Sequence, residues 1–275
     1  MTERDRIATF YNLGTDYEYL RLTKSPIHEA EFELTVELLT EYIVPGSSVL
    51  DVGAGPGRYS EFLLKELGCQ VGLVDLAETS LAAFVERINN AYKDRLLFVK
   101  KSCVTALDWL EAASFDNVLL MGPLYHLQEE HEHLAAITHC WRVLKPGGHI
   151  FAAFVSPYGG FVRLLKDNAV LLFDTDFIDK LVKRGLTDYT YQDMNIEFYR
   201  CWPTQAREMM ERGGFETLRL RSLEGMSPFL SEEEKRLLDD SRRKVAWFEI
   251  LRLTCENPDV LGATIHFLYV GQKPQ

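Results

Sequence analysis

Short apolar segments alternate with amphipathic segments between residues 48 and 155, and this alternation constrains the fold more than any other feature. Five apolar segments read as strands, at 48–53, 70–75, 95–100, 115–121 and 149–154. Helical spacing follows most of them, at 58–67, 80–91 and 129–143. Nearly continuous apolar strands that alternate with helices predict a parallel sheet covered on both faces. Right-handed crossovers then give a doubly wound α/β fold.

The flanking segments complete the predicted architecture. Residues 1–45 read as an N-terminal helical cap, and 46–155 as a core that binds a cofactor. Residues 156–202 hold nine aromatics in 47 positions and predict a helical, aromatic lid insertion. In 203–275 we expect a helix, a strand at 215–220, a long helix at 231–252 and a last strand at 265–270. We therefore predict one domain, 1–275, with a mostly parallel seven-stranded sheet.

Composition excludes several classes of protein. The 275 residues are 47% hydrophobic and 26% charged, which is ordinary for a globular protein. A net charge of −11 disfavours binding to DNA or RNA, which takes clustered Lys and Arg. Apolar runs reach about six residues, whereas a membrane span needs ~20. We therefore expect no membrane association. The five cysteines have no metal-like spacing, so we expect reduced thiols and a cytoplasmic location.

A glycine-rich loop joins the first strand to the first helix of the core. It reads Val-Leu-Asp-Val-Gly-Ala-Gly-Pro-Gly over 49–57, and Asp75 follows it at the end of the second strand. Glycines allow a close backbone approach to a ligand, and an acid after the second strand can bind both ribose hydroxyls. Arg58 stands where a dinucleotide-binding loop has its third glycine. The carboxylate of Asp51 would repel a pyrophosphate but would suit a ligand with an ammonium group. S-adenosylmethionine carries such a group.

With these motifs the chain resembles the class I S-adenosylmethionine-dependent methyltransferases, in particular the small-molecule branch with the ubiquinone/menaquinone methyltransferases. The resemblance covers residues 48–155. It rests on the glycine loop, on Asp75, on Phe-Asp-Asn-Val at 115–118 and on Trp-Arg-Val-Leu-Lys-Pro-Gly-Gly at 141–148, whose last four residues are expected to form a turn before the fifth strand. It implies a Rossmann-like methyltransferase fold and S-adenosylmethionine as cofactor, with S-adenosylhomocysteine as product.

The resemblance also implies which residues contact the cofactor. Asp51 would face the methionine end, Asp75 the ribose, and Ser102 the adenine in place of the acid usual in the family. The expected cofactor-binding residues are Asp51, Gly53, Ala54, Gly55, Asp75, Leu76, Ser102, Cys103, Met121 and Gly122.

The loop after the fourth strand would face the reactive methyl group. It reads Met-Gly-Pro-Leu-Tyr-His over 121–126, and Gly122 replaces the acceptor with which base-modifying enzymes grip an exocyclic amine. Tyr125 and His126 are the candidate catalytic residues. His126 either removes a proton from the acceptor or orients it, or the loop only borders the cofactor. We expect His131 and His133 to lie on a solvated surface and to form no metal site, because side chains two apart on a helix do not share a face.

The acceptor is expected to be a small molecule, enclosed by the lid and the N-terminal segment. Aromatics of the lid could instead simply pack onto the sheet edge. Tyr11, Tyr17 and Arg21 are candidate substrate contacts, with Arg21 able to pair with an acidic group. Two other functions remain open: a non-catalytic S-adenosylmethionine-binding protein, and a nicotinamide-dependent oxidoreductase, which Arg58 disfavours.

Overall fold

The centre of the molecule is a seven-stranded sheet in the order β3-β2-β1-β4-β5-β9-β8. The structure, a computed structural model, describes residues 2–88, 90–158, 161–162, 170, 173–191 and 194–275. The strands of this sheet are β1 (Ser48–Val52), β2 (Gln70–Asp75), β3 (Leu96–Lys101), β4 (Phe115–Leu120), β5 (Leu144–Val155), β8 (Glu216–Ser222) and β9 (His266–Gln272). The first five run parallel, and β9 is antiparallel to both of its neighbours. The predicted doubly wound, mostly parallel sheet of seven strands is confirmed.

Helices lie before the first strand and between the later ones. They are α1 (Glu3–Leu13), α2 (Thr15–Arg21), α3 (Pro26–Tyr42), α4 (Arg58–Lys65), α5 (Glu78–Arg87), α6 (Asn90–Lys93), α7 (Glu130–Val143), α8 (Thr175–Arg184), α9 (Pro203–Arg212), α10 (Glu232–Leu237), α11 (Ser241–Thr254) and α12 (Pro258–Leu261). Within the described ranges, no helix is both long and apolar enough to cross a membrane.

Two hydrophobic cores explain why the strands read as continuous apolar runs. Leu50 and Val118 belong to the core on one face of the sheet, whereas Val49 and Leu119 belong to the other. Successive side chains of a strand point to opposite faces. Both sets are therefore buried, as expected for a parallel sheet with helices on each side.

The direction of β9 brings its first residue to the functional edge. His266 pairs with Val155, the last residue of β5. Because β9 runs against the parallel strands, its start lies at their carboxyl ends. Ligands bind at this edge in doubly wound folds.

The segment 156–202 differs from the predicted helical insertion. Its described part contains α8 and a two-stranded hairpin, β6 (Leu186–Tyr191) with β7 (Met194–Tyr199). Gly185 ends α8 in the left-handed conformation, at φ 67°, and the chain turns directly into β6. The missed signal is the alternation in Leu-Thr-Asp-Tyr-Thr-Tyr, which is typical of a strand. Positions 159–160, 163–169, 171–172 and 192–193 of the predicted lid lie outside the described residues.

Three further expectations need correction. The long helix predicted at 231–252 is two helices, because Asp240 caps α11 through the Arg243 N–H (3.0 Å) instead of continuing α10. The turn predicted at 145–148 forms the irregular start of β5, where the register with β4 shifts. His133, expected on a solvated face, is buried and bonds through Nε2 to the Leu124 carbonyl (2.9 Å).

Candidate active site

The glycine loop turns sharply at the end of β1. Gly53 and Gly57 have φ of 74° and 75°, a region that favours glycine. A Cβ on Gly53 would lie 2.4 Å from Pro123 in the loop after β4, and one on Gly57 would lie 2.2 Å from Phe84. The loop therefore needs glycine for its backbone angles and for its close contacts with neighbouring segments.

Asp75 is locked in place by backbone donors. Its Oδ2 accepts a hydrogen bond from the Gly55 N–H and its Oδ1 one from the Ala77 N–H, each at 2.7 Å. Burial raises the pKa of this carboxyl group, although these bonds act in the opposite direction. The carboxylate is thus oriented before any ligand arrives.

Asp51 lies deeper in the same region. It is 2% exposed, and its Oδ2 accepts a hydrogen bond from the Ser60 hydroxyl at 2.6 Å. Burial raises the pKa of Asp51 to about 7. A cationic ligand group beside this carboxyl would stabilise its charged form and so lower its pKa.

One cavity at the carboxyl ends of β1, β2 and β4 collects the predicted cofactor-binding residues. All ten line it: Asp51, Gly53, Ala54, Gly55, Asp75, Leu76, Ser102, Cys103, Met121 and Gly122. The hydroxyl of Ser102 already donates to the Ala106 carbonyl (3.1 Å) and accepts from Trp109 Nε1 (3.4 Å). An adenine would therefore compete with these partners for that hydroxyl.

Tyr125 and His126 belong to a 3₁₀ turn, Pro123–His126, and line the cavity. His126 Nε2 lies 2.7 Å from the hydroxyl of Tyr11, which reaches over from α1. His126 Nδ1 is buried and has no partner among the described residues. Burial lowers the pKa of His126 to about 3, so the imidazole is neutral at neutral pH and only a weak base.

A second cavity of about 520 Å³ adjoins the first. Both are lined by Tyr11, Glu18, Arg21, Tyr59, Met121 and Tyr125. The second also reaches Phe198 of β7 and His266 of β9. Helices of the first 45 residues and the β6–β7 hairpin therefore both contribute walls to it.

The three predicted substrate residues of the N-terminal segment, Tyr11, Tyr17 and Arg21, line the second cavity but differ in availability. Arg21 donates to both carboxylate oxygens of Glu31, at 2.6 and 2.8 Å, and to Glu18 at 2.8 Å. Its charge is thus already compensated, which weakens the expectation that it pairs with an acidic substrate group. Tyr17 is 39% exposed, and Lys24 Nζ lies 3.7 Å from the centre of its ring.

Sequence reasoning missed a pair of residues in this region. Glu224, after β8, and His266, at the start of β9, lie 2.5 Å apart between Oε1 and Nδ1. An oxygen of Glu31 and one of Glu224 lie within 4.8 Å of each other and of a His266 ring nitrogen. No local motif marks these residues, which are brought together by the antiparallel strand.

Comparisons with known proteins support the cofactor that the sequence predicts. A family profile described as "Methyltransferase domain" matches residues 49–148. A ubiquinone biosynthesis O-methyltransferase of Xanthomonas oryzae pv. oryzae is 31% identical over 188 residues, which are 68% of this chain and 72% of that protein. The chain belongs to the class I S-adenosylmethionine-dependent methyltransferases.

Further relatives extend the match. A ubiquinone biosynthesis O-methyltransferase of Xanthomonas campestris pv. campestris is 28% identical over 75% of this chain and 87% of that protein. The 1,6-didemethyltoxoflavin-N1-methyltransferase of Burkholderia thailandensis, solved with that compound and S-adenosylhomocysteine, has the same fold. Its TM-score is 0.56 at 16% identity, over 98% of this chain and 88% of that one.

The protein is therefore an enzyme that uses S-adenosylmethionine to methylate a small molecule. The relatives give no support to the two alternatives, an oxidoreductase and a non-catalytic cofactor-binding protein. The residues of the first cavity fit the cofactor: Asp75 presents an oriented carboxylate for a ribose, and Asp51 a buried one for an ammonium group. When bound, S-adenosylmethionine supplies an electrophilic methyl group on a sulfonium.

Proposed function

We propose that this methyltransferase transfers the methyl group to a hydroxyl oxygen of a small, ring-containing acceptor bound in the second cavity. The observation that carries the proposal is the shared wall between the two cavities, at Tyr11, Tyr125 and Met121. Because the two cavities share these lining residues, an acceptor in the second cavity would lie next to a cofactor in the first. The O-methyltransferase names of the relatives support oxygen as the acceptor atom.

The lining of the second cavity suits a ring. Its aromatic side chains come from α1 and α2 (Phe10, Tyr17), from α4 (Tyr59), and from the 3₁₀ turn and β7 (Tyr125, Phe198). Tyr125 and Phe198 are stacked, with ring centres 5.6 Å apart and planes at 18°. Offset stacking and edge contacts with such rings favour a flat, apolar acceptor.

The chemistry requires mainly alignment. The acceptor oxygen attacks the methyl carbon in line while a neutral thioether leaves, so no acid is needed for the leaving group. In this proposal the acceptor is oriented where the cavities meet, by Tyr125, which lines both, and by His126, which lines the first. The low pKa of His126 supports orientation over proton removal, because a weak base gains little by taking a proton.

The segments outside the core enclose the acceptor in this proposal. Residues 1–45 would act as a cap and 156–202 as a lid, with 46–155 binding the cofactor and 203–275 completing the sheet. Support comes from side chains of both segments in the second cavity, among them Phe10, Val162 and Arg200. We also propose a cytoplasmic location, which the five free thiols favour.

The test offers the enzyme methyl-labelled S-adenosylmethionine with four acceptors: catechol, 4-nitrocatechol, aniline and thiophenol. We expect labelled methyl ethers of the two phenols by mass spectrometry. Asp75→Asn is the matched control, since weaker cofactor binding should slow product formation at low cofactor concentration. Label only in the amine or the thiol would reject oxygen as the acceptor atom.

A further inference from the structure

The carboxylate of Glu224 holds His266 by two contacts, one to the imidazole and one to the backbone. Glu224 Oε1 lies 2.5 Å from Nδ1, and Oε2 accepts the backbone N–H of His266 at 2.9 Å. The Leu223 N–H in turn donates to the His266 carbonyl (3.0 Å), which continues the β8–β9 ladder. The pair is thus fixed by the sheet rather than by a loose surface contact.

The imidazole faces the second cavity. His266 lines it, with 30% of its side chain exposed, whereas Glu224 behind it is 6% exposed. Because Nδ1 is engaged by Glu224, Nε2 is the ring nitrogen available to a molecule in the cavity. A carboxylate on one nitrogen and a free second nitrogen are the usual arrangement of a histidine that acts as a base.

Charged groups of several elements surround this imidazole. Glu224 just after β8, Glu31 of α3 and Arg21 of α2 interact electrostatically with the imidazole. His28 of α3 also interacts electrostatically with it. The same cavity is also lined by the charged residues Glu18, Arg200, Glu232 and Lys235. Attraction by the carboxylates outweighs the burial of the ring and raises the pKa of His266. His126, which burial alone affects, shows the opposite shift.

We propose that His266 is the general base of methyl transfer and that Glu224 is its positioning residue. This rests on the proposed function, in which a hydroxyl-bearing acceptor fills the second cavity. His266 Nε2 takes the proton of the acceptor hydroxyl as the oxygen forms its bond to the methyl carbon. The carbon–sulfur bond breaks, its electron pair stays on sulfur, and the cofactor leaves as neutral S-adenosylhomocysteine. The imidazolium is stabilised by Glu224 and returns its proton to solvent.

The first test compares two phenols of different acidity. The nitro group of 4-nitrocatechol makes it ionise near neutral pH, so it needs no base, whereas catechol does. For His266→Gln we expect kcat with catechol to fall roughly 10²–10⁴-fold, with a much smaller loss for 4-nitrocatechol. Glu224→Gln keeps the length of the side chain but not its charge, and should lower kcat in the same direction. The exposed His131→Gln is the matched control.

Equal losses with both phenols would overturn the proposal, because a structural defect does not distinguish acceptors by acidity. Loss of activity on addition of EDTA, with recovery on addition of Mn²⁺, would also overturn the proposal, since Glu31, Glu224 and His266 would then bind a metal ion. Unchanged affinity for S-adenosylhomocysteine in both variants would support a role confined to the acceptor side.

A second test does not depend on the acceptor. Histidine signals in an NMR titration, with His266 assigned through His266→Gln, should show a pKa above the ordinary value that falls in Glu224→Gln. An unchanged pKa in Glu224→Gln would overturn the pairing. If the wild-type enzyme methylates neither phenol, the proposed acceptor class fails, and this titration alone decides whether the base exists.

Discussion

At the scale of single residues, Asp75 presents a carboxylate oriented by the Gly55 and Ala77 N–H groups. Replacing it by Asn would remove the charged group that we propose as acceptor of the ribose hydroxyls, while it retains the size of the side chain. Hydrogen bonds to charged groups contribute ~1.5–3 kcal/mol. We expect S-adenosylhomocysteine to bind roughly ten- to a hundredfold more weakly in calorimetry. Asp108→Asn, a change at an exposed site outside both cavities, should have no effect.

An unchanged dissociation constant in Asp75→Asn would remove this residue from the cofactor site. Equal melting temperatures of the two variants would show that the weaker binding does not come from partial unfolding.

We expect Asp51 to make cofactor binding depend on pH. Its pKa is about 7 in the free enzyme because of burial, and a bound ammonium group should lower it. Below that value the carboxyl must lose a proton before it can hold the cation, so affinity should rise with pH and level off above about 7. Calorimetry in buffers of different ionisation enthalpy should detect the proton released near neutral pH.

Asp51→Asn provides the control for this linkage, because an amide does not titrate. Its binding should be weaker and should lose the pH dependence in this range. Proton release that persists in Asp51→Asn would assign it to another group.

At the scale of elements, the β6–β7 hairpin is a separate two-stranded sheet whose strands pair only with each other within the described residues. Such a ribbon has little stability of its own. We expect its amides to exchange with solvent quickly in the free enzyme, and more slowly once S-adenosylhomocysteine and an acceptor are bound. Hydrogen exchange followed by mass spectrometry measures this directly, with β1 and β4 as protected internal references.

Strong and equal protection of residues 186–199 in both states would make the hairpin part of the permanent core. The lid proposed for 156–202 would then lose its support, and the aromatic side chains there would serve packing alone.

At the scale of the whole molecule, ligand binding and folding are linked. A ligand that binds only the folded chain stabilises it by ~2.7 kcal/mol at a hundred times its dissociation constant. For a chain of this size that corresponds to a rise in melting temperature of several degrees. We expect S-adenosylhomocysteine to produce this rise and NAD to produce none. A larger shift with NAD would contradict the assigned cofactor.

Local patterns in the sequence predicted the sheet and the cofactor cavity. The five parallel strands carry their own apolar signal, the glycine loop follows β1 directly, and Asp75 is the last residue of β2. Because the carboxyl ends of parallel strands lie at one edge of the sheet, the convergence of residues at these ends can be predicted without information on packing. The convergence of Asp51, Asp75 and Met121 on one cavity follows from this rule.

The acceptor side depended on tertiary structure. Glu31, Glu224 and His266 are far apart in the chain and meet only because β9 is antiparallel and lies beside β5. No periodicity encodes that direction. Burial also decided the charge states, since it leaves His126 a weak base while the carboxylates beside His266 raise its pKa. The sequence by itself thus determined the fold and the set of residues that line the proposed cofactor cavity, both of which arise from local pattern and strand order. Only the tertiary structure decided which titratable groups face the acceptor, because their properties depend on long-range packing.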